Sequence, residues 1–255
     1  MFDIITKEDY WGWLAENIDA RARQPTWQKK LLGVGKRLRS LLRPARLYEL
    51  KDVQDAFILS RLGDQRDVRI LEVGGGMPRI LQKLSQDNET WLIDRYEGVG
   101  RGPKRAPEIP RVKVVQGFMG EFSRQLPDNY FDFLFSVSVV EHVPLDALES
   151  FFADCARVLK PAGRMFHAID IYLFDQIRDD LNQPFQERLG AYLGFADRLD
   201  LGIRLVESAQ IDKTLSFSCA YASQPDNALH QWYLHSPQEK RLYGQVVSIK
   251  SAWEK

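Results

Sequence analysis

The run Arg69-Ile70-Leu71-Glu72-Val73-Gly74-Gly75-Gly76-Met77-Pro78 constrains this chain more than any other. Ile70, Leu71 and Val73 favour a strand, Glu72 stands at its end, and three consecutive glycines make a tight turn. Arg79 to Leu84 follows with helical apolar spacing. A strand, a glycine turn and a helix start bring bare backbone N–H groups close to a ligand. In open α/β sheets ligands bind beyond the carboxyl ends of the strands, so residues just after each strand carry the most information.

Further along, the α/β alternation is regular. Glu89 to Asp94 reads as a second strand ending in an acid, and Arg111 to Gln116 as a third. Tyr130 to Val137 is nearly continuous in apolar residues, as a central parallel strand buried on both faces requires. A helix is expected over Leu145–Leu159, broken by Lys160-Pro161-Ala162-Gly163, with a fifth strand from Arg164 to Tyr172. Strands separated by helices imply a parallel sheet with helices on both faces. Leu173 to Leu193 reads as a helical insertion, near 173–200, divided by Pro184. Leu215–Ser223 and Leu229–His235 read as an antiparallel hairpin, and 237–255 as mixed strand and helix.

Residues 1–62 read as a helical extension, a cap or lid, ahead of a main domain at 63–255. A helix is expected over Lys7–Ala22 and another over Asp52–Leu62. Between residues 20 and 48 there are nine Lys and Arg and no acid, and Trp27, Leu31, Val34, Leu38 and Leu41 recur at helical intervals. The stretch at 21–46 is thus a basic amphipathic helix, either packed on the main domain or touching an anionic membrane surface or anionic substrate. Globally the charge is balanced, at 35 basic and 35 acidic residues, which argues for neither a nucleic-acid nor an acidic-protein partner. Only Cys155 and Cys219 occur, so no disulfide framework or cysteine metal motif is expected. The N-terminus lacks a basic region followed by a long apolar run, and no stretch approaches 18 uncharged apolar residues. The expected location is cytoplasmic, with peripheral contact at the inner membrane face as the alternative that the basic stretch allows.

Asp94 lies 22 residues beyond Glu72 and suits a ribose diol, because one carboxylate can accept hydrogen bonds from both hydroxyls. Nicotinamide dinucleotides and S-adenosylmethionine both fit that much. The dinucleotide fingerprint G-x-G-x-x-G has Arg79 where its last glycine should stand. Three further segments favour the second cofactor: Leu126–Ser136 runs into the fourth strand, Ser138-Val139-Val140-Glu141-His142-Val143 follows it, and Ala156–Gly163 is like an L-K-P-G-G turn. Together with the glycine turn these resemble, over 68–172, the class I S-adenosylmethionine-dependent methyltransferase superfamily, in its type 11 methyltransferase-domain form. Pro78 and Ala162 replace glycines of that pattern, and Phe118 stands where many relatives carry an acid.

The resemblance implies an α/β, Rossmann-like doubly wound, mostly parallel seven-stranded sheet with an antiparallel edge strand. It implies S-adenosylmethionine as cofactor and S-adenosylhomocysteine as product. Glu72, Gly74, Gly75 and Gly76 would border the methionine part, Asp94 would hold the ribose, Phe118 and Met119 would flank the adenine, and Ser136 would lie near the sulfonium. The expected activity is O-methylation of a small molecule or glycan; the run His167-Ala168-Ile169-Asp170 resembles methyltransferases of bacterial cell-surface polysaccharide pathways. His167 with Asp170, and His142 second, are the candidates for acceptor-side acid–base chemistry. Some quinone-pathway relatives bind a metal through Glu-x-x-Glu-His; Ser138 replaces the first acid here, so no metal is expected. DNA is not an expected substrate, since neither an Asn/Asp-Pro-Pro-aromatic run nor a Pro-Cys pair is present. RNA methylation, or a non-catalytic module binding the cofactor, are the alternatives. No motif identifies the acceptor or an oligomeric state.

Overall fold

The computed structural model describes residues 1–5, 9, 12–13, 50–76, 78–98, 103–174, 188–195, 197–198, 200–206 and 244–255. Its elements are β1 (Phe2–Ile4), α1 (Leu50–Leu62), β2 (Arg69–Val73), α2 (Leu81–Leu84), β3 (Glu89–Asp94), β4 (Val112–Gln116), β5 (Phe131–Val137), α3 (Leu148–Val158), β6 (Leu159–Phe174), β7 (Asp197–Arg198), β8 (Ile203–Leu205) and β9 (Gly244–Glu254). Among the described residues one sheet runs in the order β4-β3-β2-β5-β6-β9-β8-β7, and β1 pairs with β9. The first five are parallel, and β9 runs antiparallel to β6. The strand order reverses at β2, whose neighbours β3 and β5 continue in opposite directions across the sheet. That reversal opens a crevice at the carboxyl ends of β2 and β5.

Side-chain alternation on β6 separates the two faces. Phe166 meets Phe57 of α1 at a ring-centroid distance of 6.4 Å, whereas His167 meets Phe151 and Phe152 of α3, both at 5.9 Å. Helices therefore cover opposite faces, and the parallel strands between them are apolar on both. Ile70, Leu71, Leu92, Leu134 and Phe135 are fully buried. Burial of each such side chain stabilises the fold by roughly 1.5–3 kcal/mol.

Several elements differ from expectation. The chain begins with a strand, because Phe2–Ile4 can pair with β9 in the register Phe2↔Ser251 to Ile4↔Ile249. Strand β6 continues through Leu173 and Phe174, where a helix was expected, and β9 turns residues 244–254 into one long strand. Their eleven-residue antiparallel pairing, Arg164↔Glu254 to Phe174↔Gly244, overrides local preference. With β1, β7 and β8 the sheet reaches nine strands among the described residues instead of seven. Helix α2 has only four residues, too short for a helix dipole to matter at the glycine turn. Of the expected helix at Lys7–Ala22, Asp9, Gly12 and Trp13 are described and helical. The basic stretch at 21–46 and the hairpin at 215–235 lie outside the described residues. No helix among the described residues is long and apolar enough to cross a membrane.

The turn into β6 contains a strained residue. Register moves from Phe131↔Leu159 to Phe133↔Arg164, so Lys160 to Gly163 loop out. Ala162 is held at φ 63° by its N–H bond of 2.9 Å to the Lys255 carbonyl. A left-handed alanine costs about 1 kcal/mol that glycine avoids. Ala162→Gly should therefore raise the denaturation midpoint, by about 0.5–1 kcal/mol or roughly 1–4 °C. A drop in thermal or denaturant stability would refute this account of the turn.

Candidate active site

The glycine turn works through what it lacks. Gly74 (φ 66°) donates its N–H to the Ile93 carbonyl at 2.8 Å, tying the end of β2 to β3. A Cβ on Gly74 would lie 2.7 Å from Val139 Cγ2, and one on Gly75 would lie 2.5 Å from the Glu72 carboxyl carbon. At its left-handed φ Gly74 has no room for a Cβ beside Val139, and a Cβ on Gly75 would displace the Glu72 carboxyl, so the two glycines let the loop after β5 and the Glu72 side chain approach the backbone. Asp94 closes the far side: its Oδ2 accepts the Gly76 N–H at 3.0 Å and its Oδ1 the Tyr96 N–H at 2.8 Å.

Two polar groups beside this turn are buried without compensation. Glu72 is 4% exposed and its Oε2 has no hydrogen-bond partner among the described residues. Burial pushes its carboxyl up to about 8; Arg79 opposes the shift, while Asp55 and Asp94 add to it. The Tyr96 hydroxyl is also buried and unpartnered, and burial, Asp94 and Glu72 raise its pKa. Buried polar atoms are nearly always hydrogen-bonded. A carboxyl and a phenol left unsatisfied next to a half-buried Asp94 fit a ligand that carries an ammonium and hydroxyl groups.

Beyond β4, the backbone N–H of Phe118 is accepted by Glu121 at 3.2 Å, and the Arg95 guanidinium lies 4.2 Å from the centre of the Phe118 ring. Asp154 of α3, fully buried, fixes this loop by accepting the N–H groups of Gly120 (2.8 Å) and Phe122 (3.1 Å), with Arg157 Nε at 2.9 Å. Phe118 is half-buried, and Met119 is wholly in the core.

Helix α1 lays a polar edge over the carboxyl ends of three strands. Lys51, Gln54 and Asp55 stand at i, i+3 and i+4 and so share a face. Lys51 donates to Ser138 Oγ, just after β5. Gln54 Nε2 donates to Asp170 on β6 and, at 3.0 Å, to Ser248 on β9. Asp55 takes both Nε and Nη2 of Arg79, at 2.9 and 2.7 Å. Ser138, held at φ 52°, also donates to Asp170 Oδ1 at 2.9 Å. Next to it, in the 3₁₀ turn Val140–His142, both carboxyl oxygens of Glu141 are buried and unpartnered among the described residues. Burial, with Asp170 adding and Lys51 opposing, raises the Glu141 pKa well above the usual carboxylate range.

The expected His167–Asp170 pair does not form. The two residues are three apart on β6 and project from opposite faces of the sheet. His167 is fully buried among Phe151, Phe152 and Trp253, and burial pulls its pKa down to about 3, so it stays neutral. Its Nδ1 shares a hydrogen bond of 2.7 Å with Ser136 Oγ, directly across from it on β5. Ser136 is buried on that same face, turned toward His167. His142 is exposed at the end of its turn. Thus the structure brings Glu72, Gly74–Gly76 and Asp94 together, with Phe118 beyond β4 and Asp170 on the α1 side.

Sequence reasoning missed Tyr96, Lys51 and Gln54, and used Glu141 only as part of a motif. The i, i+3, i+4 spacing of Lys51, Gln54 and Asp55, interleaved with Val53, Ala56, Phe57 and Ile58, was the available signal. For Tyr96 the only hint is an aromatic residue two places beyond the ribose-type acid.

Comparison with known proteins agrees with this geometry. The family profile described as a methyltransferase domain matches residues 71–167. No curated protein compared with the chain matches it. Among solved structures, Haemonchus contortus phosphoethanolamine N-methyltransferase 2, in complex with phosphomonomethylethanolamine and S-adenosylhomocysteine, is 16% identical with a TM-score of 0.52, covering 79% of this chain and 52% of that one. This chain thus spans about half the length of that relative. An S-adenosylmethionine-dependent methyltransferase from Mesorhizobium loti is 12% identical with a TM-score of 0.50, covering 81% and 100%. At such identities the likeness is one of fold. Glycine turn, ribose-type acid and sheet order thus coincide with the segment, residues 71–167, that matches the methyltransferase-domain profile.

Proposed function

We propose that this methyltransferase transfers the methyl group to a hydroxyl of a small molecule or glycan. The observation that carries the reading is the set of carboxyl groups at the carboxyl ends of β2, β3, β5 and β6: Glu72 and Asp94 on the cofactor side, Glu141 and Asp170 on the other. The cofactor supplies a methyl group already activated on a sulfonium. The chain's own residues bind, orient and accept a proton. Asp94 would hold the ribose hydroxyls, Glu72 and the Gly74–Gly76 backbone would border the methionine end, and Phe118 would flank the adenine. Such positioning can supply roughly 7–11 kcal/mol of the barrier. A hydroxyl acceptor also needs a base, worth roughly 10²–10⁴-fold, and buried carboxyls of raised proton affinity suit that task. An assay with cofactor tritiated on the methyl, over a panel of hexoses, hexuronic acids, catechol and ethanolamine, tests the reading. Label should enter hydroxyl compounds; label confined to ethanolamine would refute it.

Asp94→Ala should abolish calorimetric binding of S-adenosylmethionine and S-adenosylhomocysteine while the fold, by circular dichroism, is kept. Wild-type affinity in that variant would exclude Asp94 from the cofactor site.

Glu72 makes a second prediction through its proton. Its folded pKa, about 8, lies above the ordinary glutamate value of 4.5, so the folded state retains a proton that the unfolded chain has released between those values. The associated stability is complete below about pH 4.5 and is lost as pH rises through about 8. Glu72→Gln removes this loss. The variant should melt several degrees above wild type at pH 8, a gain of about 1–3 kcal/mol, and the difference should shrink toward pH 4. Cofactor affinity should fall about tenfold as a charge-assisted hydrogen bond is lost. A stability gap that does not change with pH would contradict the assignment.

A further inference from the structure

We propose that Glu141 receives the hydrogen bond of the acceptor hydroxyl and then its proton, and that Asp170, fixed by Gln54 and Ser138, is the positioning residue that sets the basicity of Glu141. This deepens the hydroxyl-methylation reading and rests on it.

Four observations lead to Glu141. It sits just after β5, on the loop whose Val139 packs against Gly74, and so beside the glycine turn. Both its carboxyl oxygens are sealed from solvent and lack a well-formed hydrogen bond among the described residues, with only the backbone N–H groups of Glu141 and Asp170 turned toward them, a costly arrangement that a donor on a ligand would relieve. By contrast Asp170 is already engaged by Gln54 and Ser138, which holds its carboxyl group in place. Lys51, bonded to Ser138, is the nearby cation. The groups acting on Glu141 from the elements around it are Asp170 on β6, Lys51 on α1, and Tyr192 on the helical segment at 188–193. The Tyr192 hydroxyl is occupied by Arg188 at 2.9 Å, and Arg188 also donates to the Val143 carbonyl. His142, the neighbouring residue, is exposed.

Asp170 and burial both disfavour ionised Glu141 and so strengthen it as a base; Lys51 moderates the effect. In the step, the acceptor oxygen bonds to the methyl carbon as the carbon–sulfur bond breaks, with its electron pair left on sulfur. The hydroxyl proton passes to the Glu141 carboxylate. No oxidant or reductant is required.

Two readouts on the full-length protein test this. The first needs no acceptor: carboxyl-region infrared spectra between about pH 5 and 10. Wild type should show two buried protonated carboxyls near neutral pH, that of Glu72, which Glu72→Gln removes, and that of Glu141. Glu141→Gln should remove the second signal and leave the first, Asp170→Asn should move the titration of the second to lower pH, and Lys51→Met should move it higher. The second is tritium transfer to hexoses, hexuronic acids and catechol. Wild-type transfer should rise with pH along the infrared titration. Glu141→Gln should lower it by roughly 10²–10⁴-fold and flatten the pH profile, with calorimetric cofactor affinity unchanged. Asp170→Asn should shift the profile to lower pH, an effect that a merely structural role would not produce. A Glu141→Gln spectrum that keeps both carboxyl signals, or a Glu141→Gln variant with the wild-type profile, would overturn the proposal. If wild type binds no cofactor or methylates only ethanolamine, the hydroxyl reading fails, and the infrared titration still decides whether Glu141 carries the proton.

Discussion

Close approach of backbone to side chain at Gly74 and Gly75 is the constraint on which the site depends. With no Cβ at these positions, Val139 can seat on the turn and the Glu72 carboxyl can fold beneath it. The end of β2 is thereby locked to β3 through the Ile93 carbonyl and to the loop after β5 through Val139. Three chain segments far apart in sequence meet there. A methyl group on Gly74 would push Val139 and its loop away from the turn, and one on Gly75 would displace the Glu72 carboxyl.

The molecule concentrates unfavourable features around this point. Glu72, Tyr96 and Glu141 bury polar atoms without partners among the described residues. Tyr96 and Ser138 hold left-handed backbone conformations without being glycine. Each such feature costs of order 1–3 kcal/mol and persists only where the surroundings over-determine it. The packing that does so is visible: fully buried Phe57, Phe131, Phe135, Phe151, Phe152 and Trp253 brace the sheet on both faces. Even the polar network of α1 rests on this packing, since Gln54 and Ser248 are themselves completely buried. Rigid apolar layers holding a strained polar edge is the arrangement that preorganised sites require.

Much of the parallel half of the sheet was legible in the sequence. Glu89 to Asp94 is a strand with the expected bounds, and β2, β4 and β5 agree within a residue or so. Their apolar runs are long and bounded by glycine, proline and acidic residues, so local chemistry dominates there. Asp94 and the three glycines could be named because turn chemistry is local as well. The antiparallel half was poorly legible. Phe2–Ile4 and Gly244–Glu254 become strands only by pairing with each other and with β6, across separations that no local pattern encodes. Likewise, nothing in the run His167-Ala168-Ile169-Asp170 says which face is covered by aromatic rings and which by the polar edge of α1.

From the order of its residues alone this chain determines a βα unit with a glycine bend, an acid at the end of the next strand, and hence a nucleoside-type crevice at a strand-order switch. Those are consequences of backbone freedom and strand alternation, which act over a few residues. Tertiary structure alone decided the protonation and company of the carboxyl groups. Glu141 and Asp170 lie close in space because β5 and β6 are parallel neighbours, and Lys51 and Gln54 reach them because α1 crosses the ends of those strands. Desolvation and the field of neighbouring charges depend on that three-dimensional proximity, which no stretch of sequence contains.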